Sequence, residues 1–376
     1  MKKIIIASDS FKGCLSSLEV ARAAERGIRK VLPDCEIACI PVADGGEGTT
    51  EALVDAMHGR FVACTVRDPL MKPVQARYGI LGDGITAVIE MASASGLTLV
   101  PPDKRNPMIA TTFGVGEIIG DALDRGCRRF LVGIGGSATN DAGAGMLQAL
   151  GFRFFDSAGN ELGKGGQILE HIARVDAAGA KPALRESVFT IACDVRNPFS
   201  GENGAAHVYA RQKGADDAMI LQLDKGLRHF ASVVLAATGK DIDGFPGAGA
   251  AGGLGGGFLA FLPATLKPGI SMVLEALDFD SRIRNADLII TGEGKLDRQT
   301  GMGKTPAGVL EAGKKQRIPV VAIGGAVEET DALLQQGFLA VLSIQSGPAS
   351  LEQAMDKANA FSQVERIAEQ IIRLRV

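Results

Sequence analysis

Short β-branched runs alternate with helically spaced apolar residues at both ends of the chain, and this rhythm dictates an open α/β sheet. Lys3–Ala7 reads as a strand, and Ser16-Ser17-Leu18-Glu19 then sets Ser and Glu at capping-box spacing. Leu15, Leu18, Ala21, Ile28 and Leu32 recur with helical period, Ile37–Val42 is the next strand and Gly48–Met57 the next helix. From residue 285 the pattern returns: strand Ala286–Ile290, a helix near 306–315, strand Val320–Ile323, a helix near 329–336, strand Ala340–Ile344 and a long terminal helix.

The middle differs. Phe61–Val66, Val74–Leu81 and Thr86–Ala92 read as successive antiparallel strands, with Gly82-Asp83-Gly84 as a hairpin signal. Helix–strand alternation resumes around 110–150 with strand Phe130–Ile134, and strand Val188–Cys193 follows. The expected fold class is α/β, with a Rossmann-like parallel-sheet domain built from 1–60 and 285–376. An inserted second α/β domain, 61–284, carries a mixed sheet.

A chain of 376 residues suits two domains, and 46% hydrophobic with 22% charged residues is globular composition. A net charge of −3 gives no electrostatic footprint for nucleic acid. The longest uncharged stretch, Gly244–Leu266, is rich in glycine and alanine and holds two prolines, so it reads as packing and loop material and no membrane is expected. Cysteines 14, 35, 39, 64, 127 and 193 form no CxxC pair and read as buried thiols, and a cytoplasmic location is expected.

Ligands of open α/β sheets bind beyond the carboxyl ends of the strands. Five strand ends here carry an acid among small residues: Ser8-Asp9-Ser10-Phe11-Lys12-Gly13, Asp44-Gly45-Gly46-Glu47-Gly48-Thr49, Gly135-Gly136-Ser137-Ala138-Thr139-Asn140-Asp141, Asp194-Val195-Arg196-Asn197-Pro198 and Thr291-Gly292-Glu293-Gly294-Lys295-Leu296-Asp297. One such acid is an ordinary turn former or helix cap. Five together point to phosphoryl transfer, which needs amides around phosphates, carboxylates for Mg²⁺, a cation and a base.

Other motifs are weaker. Gly303-Lys304-Thr305 resembles the end of a Walker A loop, but Arg298 stands where its first glycine belongs. Gly133-Ile134-Gly135-Gly136-Ser137-Ala138 fits GxGxxA after a strand, with Asp156 about twenty residues on, and keeps an NAD-dependent hydroxy-acid dehydrogenase as the alternative. Gly247–Gly252 fits GxGxxG without a preceding strand. The four histidines, 58, 171, 207 and 229, show no ligand or triad spacing.

The strand-end motifs closely resemble the type 1 glycerate kinases over essentially the whole chain. They are Asp9–Gly13, Pro41–Thr49, Gly133–Asp141, Ala192–Val195, Pro246–Gly253 and Thr291–Gly294. The resemblance implies ATP- and Mg²⁺-dependent phosphorylation of D-glycerate to 2-phosphoglycerate, in glyoxylate or aldarate breakdown, and two domains around a cleft. It implies a small-molecule partner, neither nucleic acid nor membrane, and allows a homo-oligomer. Ser8, Cys14, Ala142 (for a glycine) and Tyr209-Ala210-Arg211 (for Phe-Gly-Pro ahead of Gln212-Lys213-Gly214) depart from the family pattern.

Roles follow from position. Asp194, at the end of a buried-looking strand, is expected as general base or Mg²⁺ ligand, since a carboxylate there needs a partner or a task. Lys12 is expected to meet substrate or phosphate charge, with Asp9 and Ser10 beside it, and Asp44 and Glu47 to reach a metal or hydroxyl across Gly45 and Gly46. Ser137, Thr139 and Asn140 are expected to donate to phosphate or carboxylate oxygens. Glu293 and Asp297 follow their strand in the same manner, Asp297 as a further metal ligand. Asp9, Lys12, Asp44, Asp194 and Glu293 are expected to line one crevice.

Overall fold

The computed structural model describes residues 1–298 and 300–375. In chain order the strands are β1 (Lys3–Ser8), β2 (Glu36–Cys39), β3 (Arg60–Arg67), β4 (Pro73–Ile80), β5 (Thr86–Glu90), β6 (Arg129–Gly133), β7 (Arg153–Phe155), β8 (Arg174–Asp176), β9 (Val188–Ala192), β10 (Ala264–Lys267), β11 (Leu288–Leu296), β12 (Val320–Val327) and β13 (Ala340–Ser343). Contacts divide the chain into two compact units. The first comprises Met1–Asp44, Glu51–His58 and Pro268–Val376, the second Gly45–Thr50 and Gly59–Lys267.

The first unit holds an all-parallel sheet in the order β13-β12-β11-β1-β2. Counted within the unit this order is 2-1-3-4-5, a doubly wound topology whose crossover lies between β1 and β11. Ile4, Ile5 and Ile6 are fully buried because β1, central in the sheet, is covered on both faces. The helix Ser17–Arg29 starts at the expected capping box, with Ser16 accepting from the Glu19 N–H and Glu19 accepting from the Ser16 N–H. It packs along the terminal helix Lys357–Arg373 so closely that a Cβ at Gly27 would stand 2.0 Å from the Glu365 carbonyl oxygen.

The second unit holds a mixed sheet in the order β10-β9-β6-β5-β4-β3. The strands β10, β9, β6 and β5 run parallel, and β4 and β3 are added antiparallel. Asp83 shapes the β4–β5 turn by accepting from the Ile85 and Thr86 N–H groups at 3.0 and 2.9 Å. The chain re-enters the first unit at Pro268, ahead of residue 285, because the helix Gly269–Ala276 packs against Thr305–Lys315. A Cβ at Gly308 would lie 2.4 Å from Ile270. Residues 45–50 belong to the second unit although their neighbours on both sides belong to the first.

Glycine richness in Gly244–Leu266 is a packing requirement. The helix Ala250–Phe261 begins with Ala251, Gly252 and Gly253 at φ of 54°, 70° and 88°, and a Cβ at Gly252 would lie 2.1 Å from the Thr139 carbonyl oxygen. No helix among the described residues is long and apolar enough to cross a membrane.

Gly27→Ala should force the two helices apart and cost about 1–3 kcal/mol. A urea midpoint for the variant equal to the wild type's would show that the helices are not in contact as described.

Candidate functional site

At the crossover of the first unit, β1 ends in a tight loop. The Phe11 and Leu15 backbones exchange hydrogen bonds of 2.8 and 3.0 Å, which puts exposed Lys12 at the tip. Ser17 ties the loop to the exit of the second strand: its hydroxyl donates to the Ser8 carbonyl and accepts from the Val42 N–H at 3.1 Å. Asp9 and Asp44 are thereby brought to one place, and Lys12 lies 3.8 Å from the Asp44 carboxylate.

Asp9 is buried. Its Oδ1 accepts from the Ser10 N–H at 2.6 Å and from the Ser10 hydroxyl at 3.3 Å, and its Oδ2 accepts from Thr305 at 2.7 Å. Burial, reinforced by the Asp44 charge, raises the Asp9 carboxyl from an ordinary 3.8 to about 6 despite those hydrogen bonds. Glu293, on β11, is buried too and sits above its usual range through burial, opposed by the Thr300 hydroxyl and by Lys304 at 3.8 Å. Half-buried Asp297 closes the same loop, receiving the Thr300 N–H.

These groups open on a cavity of about 420 Å³. Asp9, Ser10, Lys12, Asp44, Glu293, Lys295 and Lys304 line its polar side. Thr300 carries no sequence signal, and Lys304 and Thr305 stand out only as part of the Walker-like Gly303-Lys304-Thr305. The Gly303-Lys304-Thr305 segment does lead into a helix, but there the threonine hydroxyl binds the Asp9 carboxylate.

The remaining residues stand in the second unit. Gly45 and Gly46 form a turn in which the Gly46 carbonyl accepts from Thr49 at 3.2 Å. Glu47 is exposed, while the Thr50 N–H donates to half-buried Glu90 at 2.8 Å. Beyond β6, Ser137 and Thr139 share a 3.1 Å hydroxyl contact, and both Asn140 amide atoms are buried without a protein partner. Asp141 accepts from the Thr112 N–H and from the Thr111 and Thr112 hydroxyls at 2.8–3.1 Å, which makes it a brace for the loop.

Lys213, not anticipated as a site residue, lies buried beneath this loop and donates to the Thr139 carbonyl at 2.6 Å. Burial lowers it to about 7, opposed by the Asp141 charge. Ala142, the departure from the family glycine, adopts φ 53° and is fully buried, so methyl packing offsets part of the left-handed strain.

Asp194 is corrected in one respect. It is exposed beyond β9, so burial supplies no argument for its role. Nearby Asn197 accepts from the Tyr209 hydroxyl at 2.6 Å and donates to the Asn203 carbonyl at 2.9 Å. The dinucleotide motif dissolves as well. After Gly135-Gly136 the next helix starts only at Ala144, and Asp156 closes a turn by accepting from Ala158 and Asn160. No three His, Cys, Asp or Glu side chains among the described residues form a metal-ligand group.

A parallel sheet whose crossover gathers acids and lysines around one cavity suits an enzyme that handles a small phosphorylated molecule. A model of the glycerate kinase family matches residues 4–376. Glycerate kinase of Bacillus subtilis (strain 168) is 51% identical over 370 residues, 98% of this chain and 96% of that protein. Glycerate 2-kinase of Escherichia coli (strain K12) is 47% identical over 353 residues, 94% and 93% of the two chains. A crystal structure from Salmonella typhimurium LT2, assigned as a glycerate kinase 2, superposes with a TM-score of 0.92 at 44% identity and covers 100% of this chain and 98% of that one. The chain belongs to the glycerate kinase family, and the enzyme is a phosphotransferase, a glycerate kinase. Nothing in the comparisons points to a dehydrogenase.

Asp9 ionises against its surroundings. Below about pH 4 the folded and unfolded forms both hold the proton. Between 3.8 and about 6 only the folded form keeps it, so stability falls as pH rises through that window, by about 3 kcal/mol at 1.36 kcal/mol per pH unit. Asp9→Asn should therefore raise the thermal midpoint at pH 8, lose that advantage at pH 4, and lower turnover. A variant no more stable than wild type at pH 8 would contradict the buried carboxylate.

Proposed function

We propose that the enzyme transfers the γ-phosphoryl group of ATP to the 2-hydroxyl of D-glycerate, with Mg²⁺, giving 2-phosphoglycerate. The observation that carries this is the gathering of Asp9, Lys12, Asp44, Glu293 and Lys304 around one cavity at the crossover. The regiochemistry is supported by the relative named glycerate 2-kinase.

The donor chemistry suits Mg²⁺, because the acids at this cavity offer only oxygen and Mg²⁺ needs one or two carboxylates when phosphates and water complete its shell. Glu293 with Asp297, on one loop of the first unit, is the proposed pair, and Glu47 and Asp194, both exposed in the second unit, are separate metal-binding proposals. Bound there, Mg²⁺ would neutralise charge on the phosphate oxygens. Lys12 and Lys304 supply positive charge to the transferring group. The glycerate oxygen bonds to the γ-phosphorus as the bond to the β–γ bridging oxygen breaks and ADP leaves. The hydroxyl proton passes to a carboxylate.

Asp194 is the proposed acceptor of that proton. Asp9 is the second reading, favoured by its value of about 6, close to working pH, where general bases act best. Ser10, Gly45, Gly46, Ser137, Thr139 and Asn140 are proposed to bind substrate or phosphate oxygens.

Asp194→Asn and Lys12→Ala should each lower turnover by about a hundred-fold or more, with the circular dichroism spectrum unchanged. Wild-type rates in folded Asp194→Asn would pass the proton-accepting role to Asp9. ADP release over a panel of hydroxy-acids, with phosphorus NMR of the product, tests the reaction. A 3-phosphoglycerate signal would overturn the assigned hydroxyl, and no glycerate-dependent ADP release would overturn the whole reading.

A further inference from the structure

The lining of the first unit's cavity is chemically mixed. Besides the acids and lysines it includes Ile344, Leu351, Ala354 and Met355, and Met355 stands beside the Lys12 loop, 3.3 Å from where a Cβ at Gly13 would lie. Leu351 and Met355 are one helical turn apart on the short helix Leu351–Met355, hence on one face, and are 79% and 40% exposed. That helix is held at its start by a capping box, with Ser350 accepting from the Gln353 N–H at 3.2 Å and Gln353 accepting from the Ser350 N–H at 3.1 Å. A fixed apolar face left open beside a charged cavity is a ligand wall rather than a random surface leucine.

We propose that this wall is the base subsite of the nucleotide, with adenine lying against Leu351, Ala354 and Met355. The inference rests on the kinase reading and adds where the nucleotide sits. Of the two substrates only the nucleotide can use such a wall. A hydroxy-acid is polar throughout, whereas a purine carries two flat faces that gain by leaving water. The charges fit as well, because Lys12, Lys295 and Lys304 line the same cavity and can meet the triphosphate.

The test is steady-state kinetics of Leu351→Glu and Met355→Glu, together with photolabelling of the wild-type enzyme by 8-azido-ATP. Each variant should raise the KM for ATP by about ten-fold or more, with the KM for D-glycerate within two-fold of wild type, and Leu351→Met should restore the ATP value. Binding of inorganic triphosphate, which has no base, should stay within about two-fold of wild type in the glutamate variants. The photolabel should fall on the peptide containing residues 343–357. An unchanged KM for ATP in folded variants overturns the base subsite, as does a label confined to the second unit; the label result stands even where a variant fails to fold. Wild-type enzyme with no glycerate-dependent ADP release would sink the kinase reading itself, a separate outcome.

Discussion

The pairing of β1 with β11 is the contact on which the first unit and its cavity depend. Ile4 through Ser8 lie beside Leu288 through Gly292, so a strand at the start of the chain is zipped to one near its end. The ladder continues one step further, with the Asp9 N–H donating to the Gly292 carbonyl at 2.9 Å. That last bond fixes where the Asp9 carboxylate stands relative to Glu293, and the whole polar side of the cavity is built outward from it. Ile4, Ile5 and Ile6 are buried on both faces of the sheet, so this register is held by the ladder itself and not by an alternation of apolar and polar positions.

Each unit holds a buried ionisable group under tension. In the first, Asp9 and Glu293 are carboxylates lifted by burial and steadied by threonine hydroxyls. In the second, the buried lysine Lys213 and the carboxylate of Asp141 fix the Ser137–Asp141 loop from below. Such groups cost stability, and buried ionisable groups of this kind are the usual means by which a protein fixes charge in advance of a ligand.

Much of this was legible in the sequence for identifiable reasons. The two-domain α/β fold showed because the terminal strands are β-branched and their helices carry capping signals, and Asp9, Lys12, Asp44 and Glu293 showed because glycines and strand ends flank them. The Asp194 argument failed on burial: alternation along β9 says which residues face the core, but the chain leaves the sheet at Ala192 and the next turn opens to solvent. The contacts of Thr300, Thr305 and Lys213 were invisible because their partners lie far away in the chain or across a loop, as with Thr305 and Asp9, and no local pattern records a contact of that range. The Gly/Ala stretch was legible as packing material, and its glycines do answer to crowding against the Thr139 and Pro198 backbone and the Phe199 ring.

The split first unit has a consequence for how the protein is made. While it is being synthesised, the chain releases β1 and β2 long before their neighbour β11 exists, and the whole second unit emerges in between. The inserted unit carries its own sheet and core and can close as soon as Lys267 is out. The first two strands must wait with an unpaired apolar edge, and the enzyme's cavity is the last thing the nascent chain completes.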